Sequence, residues 1–343
     1  MKKRTFTTIA LLALSIILLS SLTGWMKKNI AENDIRKSVA KSVLLLQQSS
    51  YTFTNNTLMK CASCHHNTLT SVVAGLAVKK GVALVDSFTN SRVNSLAGTI
   101  TGICNPNLVN QLVAVNFIPP YMLLGLNAEK YAPDFNTDIA VDYIMSQAKP
   151  DGSFLTESGR PPLETGFAHL TALDVRAIQL YAGPAKKKKA DEIIGRSKKW
   201  LENLTTNNQQ ELAFQLLGLH WCGSDQNLQM KVASKLKAMQ KEDGGWAQLA
   251  TMNSDAYATG QTLYALYESG MAKPKDEVYQ KGLAYLLKTQ DKAGAWIVAT
   301  RTYPIQPFVS SEFPPYDENQ FISATATNWA TLALLNALPD IKK

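Results

Sequence analysis

The stretch Gln240-Lys-Glu-Asp-Gly-Gly-Trp246 closes one segment of helical apolar spacing and precedes another. The pattern returns fifty residues later as Gln290-Asp-Lys-Ala-Gly-Ala-Trp296, and Gln147-Ala-Lys-Pro-Asp-Gly-Ser-Phe154 is a looser copy with one extra residue. Each copy is followed by an apolar segment that is rich in small residues and has helical spacing. A two-helix unit repeated in this way predicts an array or a closed ring of helix pairs.

The rest of the sequence, on both sides of these turns, also predicts helices. Apolar residues recur three and four positions apart, and alternating runs bounded by hairpin turns are scarce. The fold class predicted is therefore all-α, with twelve helices in six consecutive pairs. Capping residues and helix breakers place these helices near 32–48, 64–80, 84–100, 119–130, 136–148, 166–182, 188–203, 208–220, 225–241, 256–269, 274–290 and 324–337.

The Gln-x-x-Asp-Gly-Gly-Trp motif resembles the QW motif of squalene-hopene cyclases and related prenyltransferase repeats. The resemblance covers roughly residues 35–340 and implies an α6/α6 toroid, a single domain over 32–340 whose inner helices line a central cavity. It also implies that Gln240 and Trp246 stabilise the repeat. The Asp-x-Asp-Asp motif with which squalene-hopene cyclases protonate their substrate is missing from this sequence. His220-Trp-Cys222 only faintly echoes the zinc site of protein prenyltransferases, so we discount both activities.

The N-terminus carries an export signal. Three basic residues, Lys2, Lys3 and Arg4, precede an apolar run from Ile9 to Leu22. This pattern predicts either a cleaved signal peptide or an uncleaved membrane anchor over residues 1–24. In both cases we expect the body of the protein to be periplasmic or otherwise exported, and the N-terminus to be its contact with the membrane surface.

The charge distribution argues against nucleic-acid binding. The net charge is +8, and +5 remains without the three basic residues of the leader. Four of the remaining positive charges form the run Lys186 to Lys189, with no aromatic residues between them. We interpret this run as a solvated loop between helices.

The sequence Cys61-Ala-Ser-Cys64-His65 has the C-x-x-C-H spacing of covalent haem c attachment. Both thiols could form thioethers, and His65 would bind the iron from one side. Three other interpretations remain open: a disulfide between Cys61 and Cys64, a zinc site that includes His65 or His66, and a thioredoxin-like redox pair. Cys104 and Cys222 could form a further disulfide or remain free thiols.

The position of this motif in the repeat suggests its neighbours. When the glycines that end successive inner helices are aligned, Cys64 and His65 fall at the start of an inner helix, as do Asp255 and His169. The starts of inner helices ring one mouth of a toroid. We therefore predict a haem at that mouth, with His169 as its possible distal ligand. An open sixth position and a histidine without contact to the haem are the alternatives.

These features lead to one principal hypothesis and two rivals. The principal hypothesis is a haem c protein with a redox or electron-transfer role, a redox protein partner and an apolar small molecule in the central cavity. Fold analogy alone suggests that this molecule is isoprenoid-like. The first rival is a haem-free cyclase or lyase that uses Asp255 and Glu211 for acid–base chemistry. The second is a non-catalytic binding scaffold. We also expect the proline-rich segment 301–316 to cap the mouth.

Overall fold

The computed structural model describes residues 30–57, 60, 62–103, 116–154, 160–302 and 311–341. The predictions for the leader, for Cys61, for Cys104 and for residues 303–310 of the segment 301–316 lie outside these described residues. Within the described ranges, no helix combines the length and the apolar character that crossing a membrane requires. The chain from Glu32 onward forms one compact unit.

The all-helical prediction is confirmed. Over the described residues the chain forms twelve α-helices, each matching one predicted helix, and no strand. In chain order, α1 to α12 span Glu32–Asn56, Leu69–Lys79, Asp86–Ile103, Ile118–Ala128, Phe135–Ser146, Phe167–Tyr181, Lys187–Asn203, Gln209–Trp221, Gln226–Ala238, Ala256–Glu268, Glu277–Thr289 and Gln320–Asn336.

The helices form a closed double ring. The even-numbered helices make the inner ring: each packs on the next, from α2 through α4, α6, α8 and α10 to α12, and α12 packs back on α2. The odd-numbered helices lie outside, and α1 contacts both α3 and α11. This is the toroid of six helix pairs that the QW-motif resemblance implies.

Burial follows from the position of each helix in the double ring. The inner helix α8 is buried without a break from Leu212 to Leu219. The outer helix α7 buries only one stripe, made of Ala190, Ile193, Ser197 and Leu201. A stripe at this spacing is the face that an amphipathic helix turns toward a core.

The repeated turns join consecutive pairs. The Gln240 side chain donates from Nε2 to the Gly244 carbonyl at 2.9 Å and to the Val278 carbonyl in α11 at 2.8 Å. In the next copy, Gln290 donates to Gly294 at 3.1 Å and to Ser38 in α1 at 3.1 Å. Each glutamine therefore binds its own turn to the next outer helix, and the last one closes the ring.

These turns need glycine because the backbone of the following outer helix lies very close to them. Gly244 has φ +88°, and a Cβ there would lie 2.5 Å from the Lys281 carbonyl oxygen. Gly294 has φ +98°, and a Cβ there would lie 2.8 Å from the Lys41 backbone. Because only glycine tolerates both conditions, each turn packs directly on the backbone of the following outer helix.

The lysine run is not a loop. Pro184–Lys186 forms a 3₁₀ turn, and α7 begins at Lys187. Proline suits the first turn of a helix because it has no N–H to leave unpaired, so Pro184 starts this segment. Lys186 pairs with Asp138 and Asp142 on α5 at 2.7 Å each. The prediction of a solvated loop was therefore wrong for these residues.

Candidate functional site

The first turns of the inner helices gather at one mouth of the ring, called here the N-terminal mouth. The first turn of α6 contacts that of α8, because the Ala168 amide donates to Glu211 Oε2 at 3.0 Å. The first turn of α8 contacts that of α10, because Gln209 Nε2 donates to the Ala258 carbonyl at 3.2 Å. Side chains at the helix starts therefore share one surface, as the aligned repeats predict.

A buried ion cluster lies at this mouth. His65 Nε2 lies 3.7 Å from Glu164 Oε1, and Arg160 pairs with the same carboxylate. Glu164 is only 2% exposed. Burial pushes the pKa of Glu164 upward, but the hydrogen bond and charge of His65 and the charge of Arg160 outweigh it and hold the pKa below its usual value. The cluster therefore contains a buried, ionised carboxylate.

The residues of the C-x-x-C-H motif that are described form the entry to α2. Cys64–Thr68 is a π-helical turn, capped by Ser63 Oγ, which accepts from the amides of His65 and His66. Cys64 is buried, and burial together with the nearby Glu164 carboxylate raises the pKa of its thiol. The Cys64 thiol is consequently protonated in this arrangement.

His169 lies in the interior of the ring, fully buried. Its Nε2 accepts from the Tyr121 hydroxyl at 2.7 Å, and its Nδ1 lies 3.0 Å from the Thr165 carbonyl, to which it donates in the tautomer that satisfies both contacts. Burial lowers the pKa of His169 to about 3, so the ring is neutral. Both ring nitrogens have partners, and His169 could bind a metal only after releasing one of them.

Aromatic side chains fill the ring interior beside His169. The His169 ring stacks on Phe214 of α8, with centroids 4.0 Å apart. Phe214 in turn contacts Trp329 of α12 at 6.1 Å, although α8 and α12 are not neighbours in the ring. Tyr264 of α10 contacts the same tryptophan at 5.4 Å. Side chains therefore cross the ring at this level.

A cavity of about 370 Å³ opens at the N-terminal mouth between the first turns of α6 and α8. Its wall contains four side-chain amides, one carboxyl group and one guanidinium group. The lining residues are Pro162, Thr165, Gly166, Phe167, Asn208, Gln209, Gln210, Glu211, Gln248 and Arg301.

Glu211 is the carboxyl group of this wall. Its Oε2 caps α6 through the Ala168 amide, because the N-cap residue Gly166 has no side chain. Its Oε1 is buried and has no hydrogen-bond partner. Burial raises the pKa of Glu211, and the backbone hydrogen bonds from α6 only partly oppose the shift. Gly166 has φ +104°, and a Cβ there would overlap Glu211 Oε1.

Asp255 lies behind this wall, outside the residues that line the cavity. It caps α10 by accepting from the Ala258 amide at 2.9 Å, and it accepts from Gln248 Nε2 at 3.0 Å. Burial raises the pKa of Asp255 to about 6, against the effect of these hydrogen bonds. Gln248 Oε1 accepts from Arg301 Nε at 2.8 Å. Gln248 therefore connects Asp255 to the one guanidinium group of the cavity wall.

A loop from Arg160 to Gly166 separates the ion cluster from the cavity. Gln210 Nε2 donates to the Pro162 and Thr165 carbonyls at 3.0 and 2.8 Å. Tyr257 of α10 donates to Gln210 Oε1 at 2.8 Å. Thr302 donates to the Pro161 carbonyl at 2.9 Å, so the start of segment 301–316 also reaches this loop.

Several residues of this mouth escape the sequence-based prediction. Glu164, Gln210 and Gln248 lie in loops or first turns without a motif, and they have partners that are distant in sequence. Arg301 begins the segment 301–316 that is expected to cap the mouth, but no pattern marks it as a residue of the cavity wall. The one available signal is the spacing of Arg160 and Glu164, four residues apart around a Pro-Pro pair. Among the described residues, no group of three or more His, Cys, Asp or Glu side chains converges to hold a metal ion.

Comparisons with known proteins support the fold. No family model matches the sequence, and no curated protein matches it. Solved structures of the type II terpene cyclase MstE from Scytonema are similar. The apo enzyme gives a TM-score of 0.60 at 14% identity over 90% of this chain and 98% of the cyclase. A complex of a variant with its substrate, geranylgeranyl dihydroxybenzoate, gives 0.60 at 14% identity over 89% and 97%. At this identity the likeness is one of fold, the toroid of a terpene cyclase.

Proposed function

We propose that this chain is a haem-free enzyme of the cyclase, isomerase or lyase type that works by acid–base chemistry at the cavity of the N-terminal mouth. One observation carries the proposal: Glu211 Oε1 is buried without a partner at the wall of this cavity. A carboxyl group whose pKa is raised keeps its proton at higher pH and can donate it to a bound molecule. The terpene-cyclase fold of the neighbours supports this class of reaction.

Glu211 and the side chains near it have separate roles in the proposed reaction. Glu211 donates its proton to one carbon or oxygen of the substrate, and the resulting carboxylate takes a proton from an adjacent carbon. Substrate and product then have the same composition, as an isomerisation or a cyclisation requires. Arg301 and the amides bind the polar part of the substrate. Asp255 is a positioning residue, because it holds Gln248, which orients Arg301.

Deuterium incorporation tests the proposal. The protein is incubated in D₂O with geranyl, farnesyl and geranylgeranyl dihydroxybenzoate, and the products are analysed by mass spectrometry. We expect a product that carries deuterium from the solvent, and we expect Glu211→Gln to slow its formation by about 100-fold or more. Glu192→Gln on the exposed face of α7 is the matched control and keeps the wild-type rate.

A direct titration makes the proposal testable without a known substrate. Carbon-13 labelled carboxyl groups are followed by NMR, and the Glu211 signal is assigned by its loss in Glu211→Gln. We expect a midpoint above that of an ordinary glutamate. A midpoint at or below the ordinary value would remove the acid from the mechanism.

The haem c protein predicted from the motif is the second candidate function. The position of Cys64 and His65 favours it, because they open α2 at the N-terminal mouth. His65 Nε2 is the atom that would bind iron, and it faces Glu164 at 3.7 Å, so attachment requires this ring to turn away. A pyridine haemochrome spectrum of protein exported with haem-maturation machinery tests this function. A c-type spectrum that disappears in Cys61→Ser/Cys64→Ser supports it, and no haem in the wild type contradicts it.

A further inference from the structure

A second cavity, of about 230 Å³, lies at the opposite mouth of the ring, called here the C-terminal mouth. All six inner helices contribute to it, largely from their last turns, so it lies on the ring axis. Its lining residues are Val72, Gly75, Leu76, Lys79, Leu124, Asn127, Ala128, Arg176, Leu180, Trp221, Tyr264, Glu268, Leu332 and Asn336. The layer that contains Phe214 and Trp329 lies between this cavity and the N-terminal mouth.

One part of the wall of this cavity is aliphatic. Aliphatic side chains enter it from four of the six inner helices: Val72, Leu76, Leu124, Leu180 and Leu332. Such a wall favours a ligand with an apolar body, because binding removes apolar surface from water on both sides. The mouth where the carboxyl group of Glu211 lies has no comparable aliphatic wall.

Two cationic side chains and one carboxylate line this cavity. The Arg176 guanidinium lies over the Trp221 ring at 5.5 Å and donates to Gln179 Oε1 at 3.5 Å, and among the described residues no carboxylate lies within ion-pair distance of Arg176 or Lys79. Asn336 Nδ2 is buried without a partner. Glu268 is the one carboxylate of the wall, and its Oε1 accepts from Trp221 Nε1 at 3.4 Å. The two cations and the free Asn336 amide nitrogen favour an accepting, negatively charged group on the ligand.

We propose that the cavity of the C-terminal mouth binds a small apolar molecule that ends in a carboxylate. The apolar body lies along the ring axis among the leucines, and the carboxylate pairs with Arg176, while Lys79 adds a second positive charge at the rim. Arginine suits this role because its planar guanidinium can hold a carboxylate by two parallel hydrogen bonds. This site is separate from the acid–base site, which occupies the other mouth.

Calorimetric titration with octanoate tests the proposal. At roughly 30 Å³ for a water-sized group, the cavity has room for a short chain on the order of eight such groups. We expect octanoate to bind at least about tenfold more tightly than octanol or octylammonium, because only octanoate supplies a charged acceptor. We expect Arg176→Gln to lose about tenfold in affinity for octanoate, and Arg176→Lys to lose less.

Two further variants make the result decisive. Arg196→Gln removes an exposed guanidinium group from the outer helix α7, which lines neither cavity, and should leave octanoate binding unchanged. Val72→Phe fills the apolar cavity without changing its charge and should abolish binding even if the Arg176 variants fold poorly. The proposal is overturned if octanol binds as tightly as octanoate, if octanoate does not bind, or if well-folded Arg176→Gln binds octanoate like the wild type.

Discussion

The two mouths of the ring are built by the same six helices and differ in chemistry. The N-terminal mouth contains a cavity lined by amides, a carboxyl group and a guanidinium group, a buried ion cluster, and carboxyl groups that cap helices. The C-terminal mouth contains a cavity with an aliphatic wall, two cationic side chains and a buried amide nitrogen without a partner. Helix direction explains the difference. First turns leave N–H groups that need side-chain acceptors, so Glu211, Asp255 and Asn208 gather there.

Last turns have different needs. Their free carbonyls are satisfied by backbone amides in tight turns: the Val82 amide donates to the Ala77 carbonyl beside Gly81, and the Ala272 amide donates to the Leu266 carbonyl beside Gly270. Side chains at this mouth are thereby released from capping and are free to form an apolar wall. In this ring the capping side chains are therefore concentrated at one mouth and the aliphatic wall at the other.

The largest expected effect breaks the ion cluster of the N-terminal mouth. Glu164→Ala leaves His65 and Arg160 in a buried place without their carboxylate. Removing one partner of a buried ion pair costs roughly 3–5 kcal/mol of the free energy of unfolding. Urea denaturation measures this loss. Glu192→Ala on the exposed side of α7 is the control, expected within about 0.5 kcal/mol of the wild type.

The next effect is a pH dependence located at the same mouth. The pKa of Asp255 is about 6 in the folded protein, against 3.8 for an ordinary aspartate, so the folded state binds the proton more tightly. Stability is then lost as the pH rises from about 4 to about 6, by roughly 3 kcal/mol at most. Asp255→Asn keeps a capping side chain and should remove this part of the pH dependence.

Urea denaturation at pH 4 and pH 7 decides the matter. The wild type should lose unfolding free energy relative to Asp255→Asn when the pH is raised from 4 to 7. Equal differences at both pH values would show that Asp255 titrates normally.

A smaller effect concerns the close contact behind the acid–base cavity. Gly166→Ala places a Cβ against Glu211 Oε1 at a φ of +104°, so we expect a loss of roughly 2 kcal/mol in thermal or urea unfolding. Gly183→Ala is the matched control: its φ is −67°, and a Cβ there meets nothing within 4 Å. The control should be neutral or slightly stabilised, and an equal loss in both variants would contradict the close contact.

The smallest effect compares the same residue type at the two mouths. Asn208 caps α8 by accepting from the Glu211 amide at 3.1 Å, so Asn208→Leu should cost about 1 kcal/mol. Asn336 at the C-terminal mouth has a buried amide nitrogen without a partner, so Asn336→Leu should stabilise the protein by about 1 kcal/mol. Thermal unfolding shifts of the same sign in both variants would contradict the contrast between the mouths.

The fold was predictable because its signals are local and repeated. Helical spacing fixes each helix, and the turns after Gln240 and Gln290 fix the pairing, since the same chemistry returns at the same position. The repeat also predicts that Asp255 and His169 lie at inner-helix starts, where the structure has them. The catalytic role of Asp255 and Glu211, and the haem predicted on Cys61 and Cys64, stay predictions.

The rest of the site depends on contacts that no local pattern encodes. Glu164 meets His65 from a loop that is distant in sequence. The hydrogen bond between Gln248 and Arg301, through which Asp255 is connected to Arg301, spans fifty-three residues. The C-x-x-C-H spacing describes the chemistry of its residues but not their burial. The position of Cys64 inside the packed mouth follows only from the closed ring.

The hydrogen bond from Gln290 to Ser38 spans 252 residues and joins the last repeated turn to the first helix. Linear repeat arrays need specialised terminal repeats to shield their exposed ends. The helix pairs described here need no such terminal repeats, because the last pair packs against the first. The finished ring therefore does not depend on the order in which its helix pairs are synthesised. A circularly permuted chain, with the original ends joined and new ends made in another surface turn, should fold into the same structure.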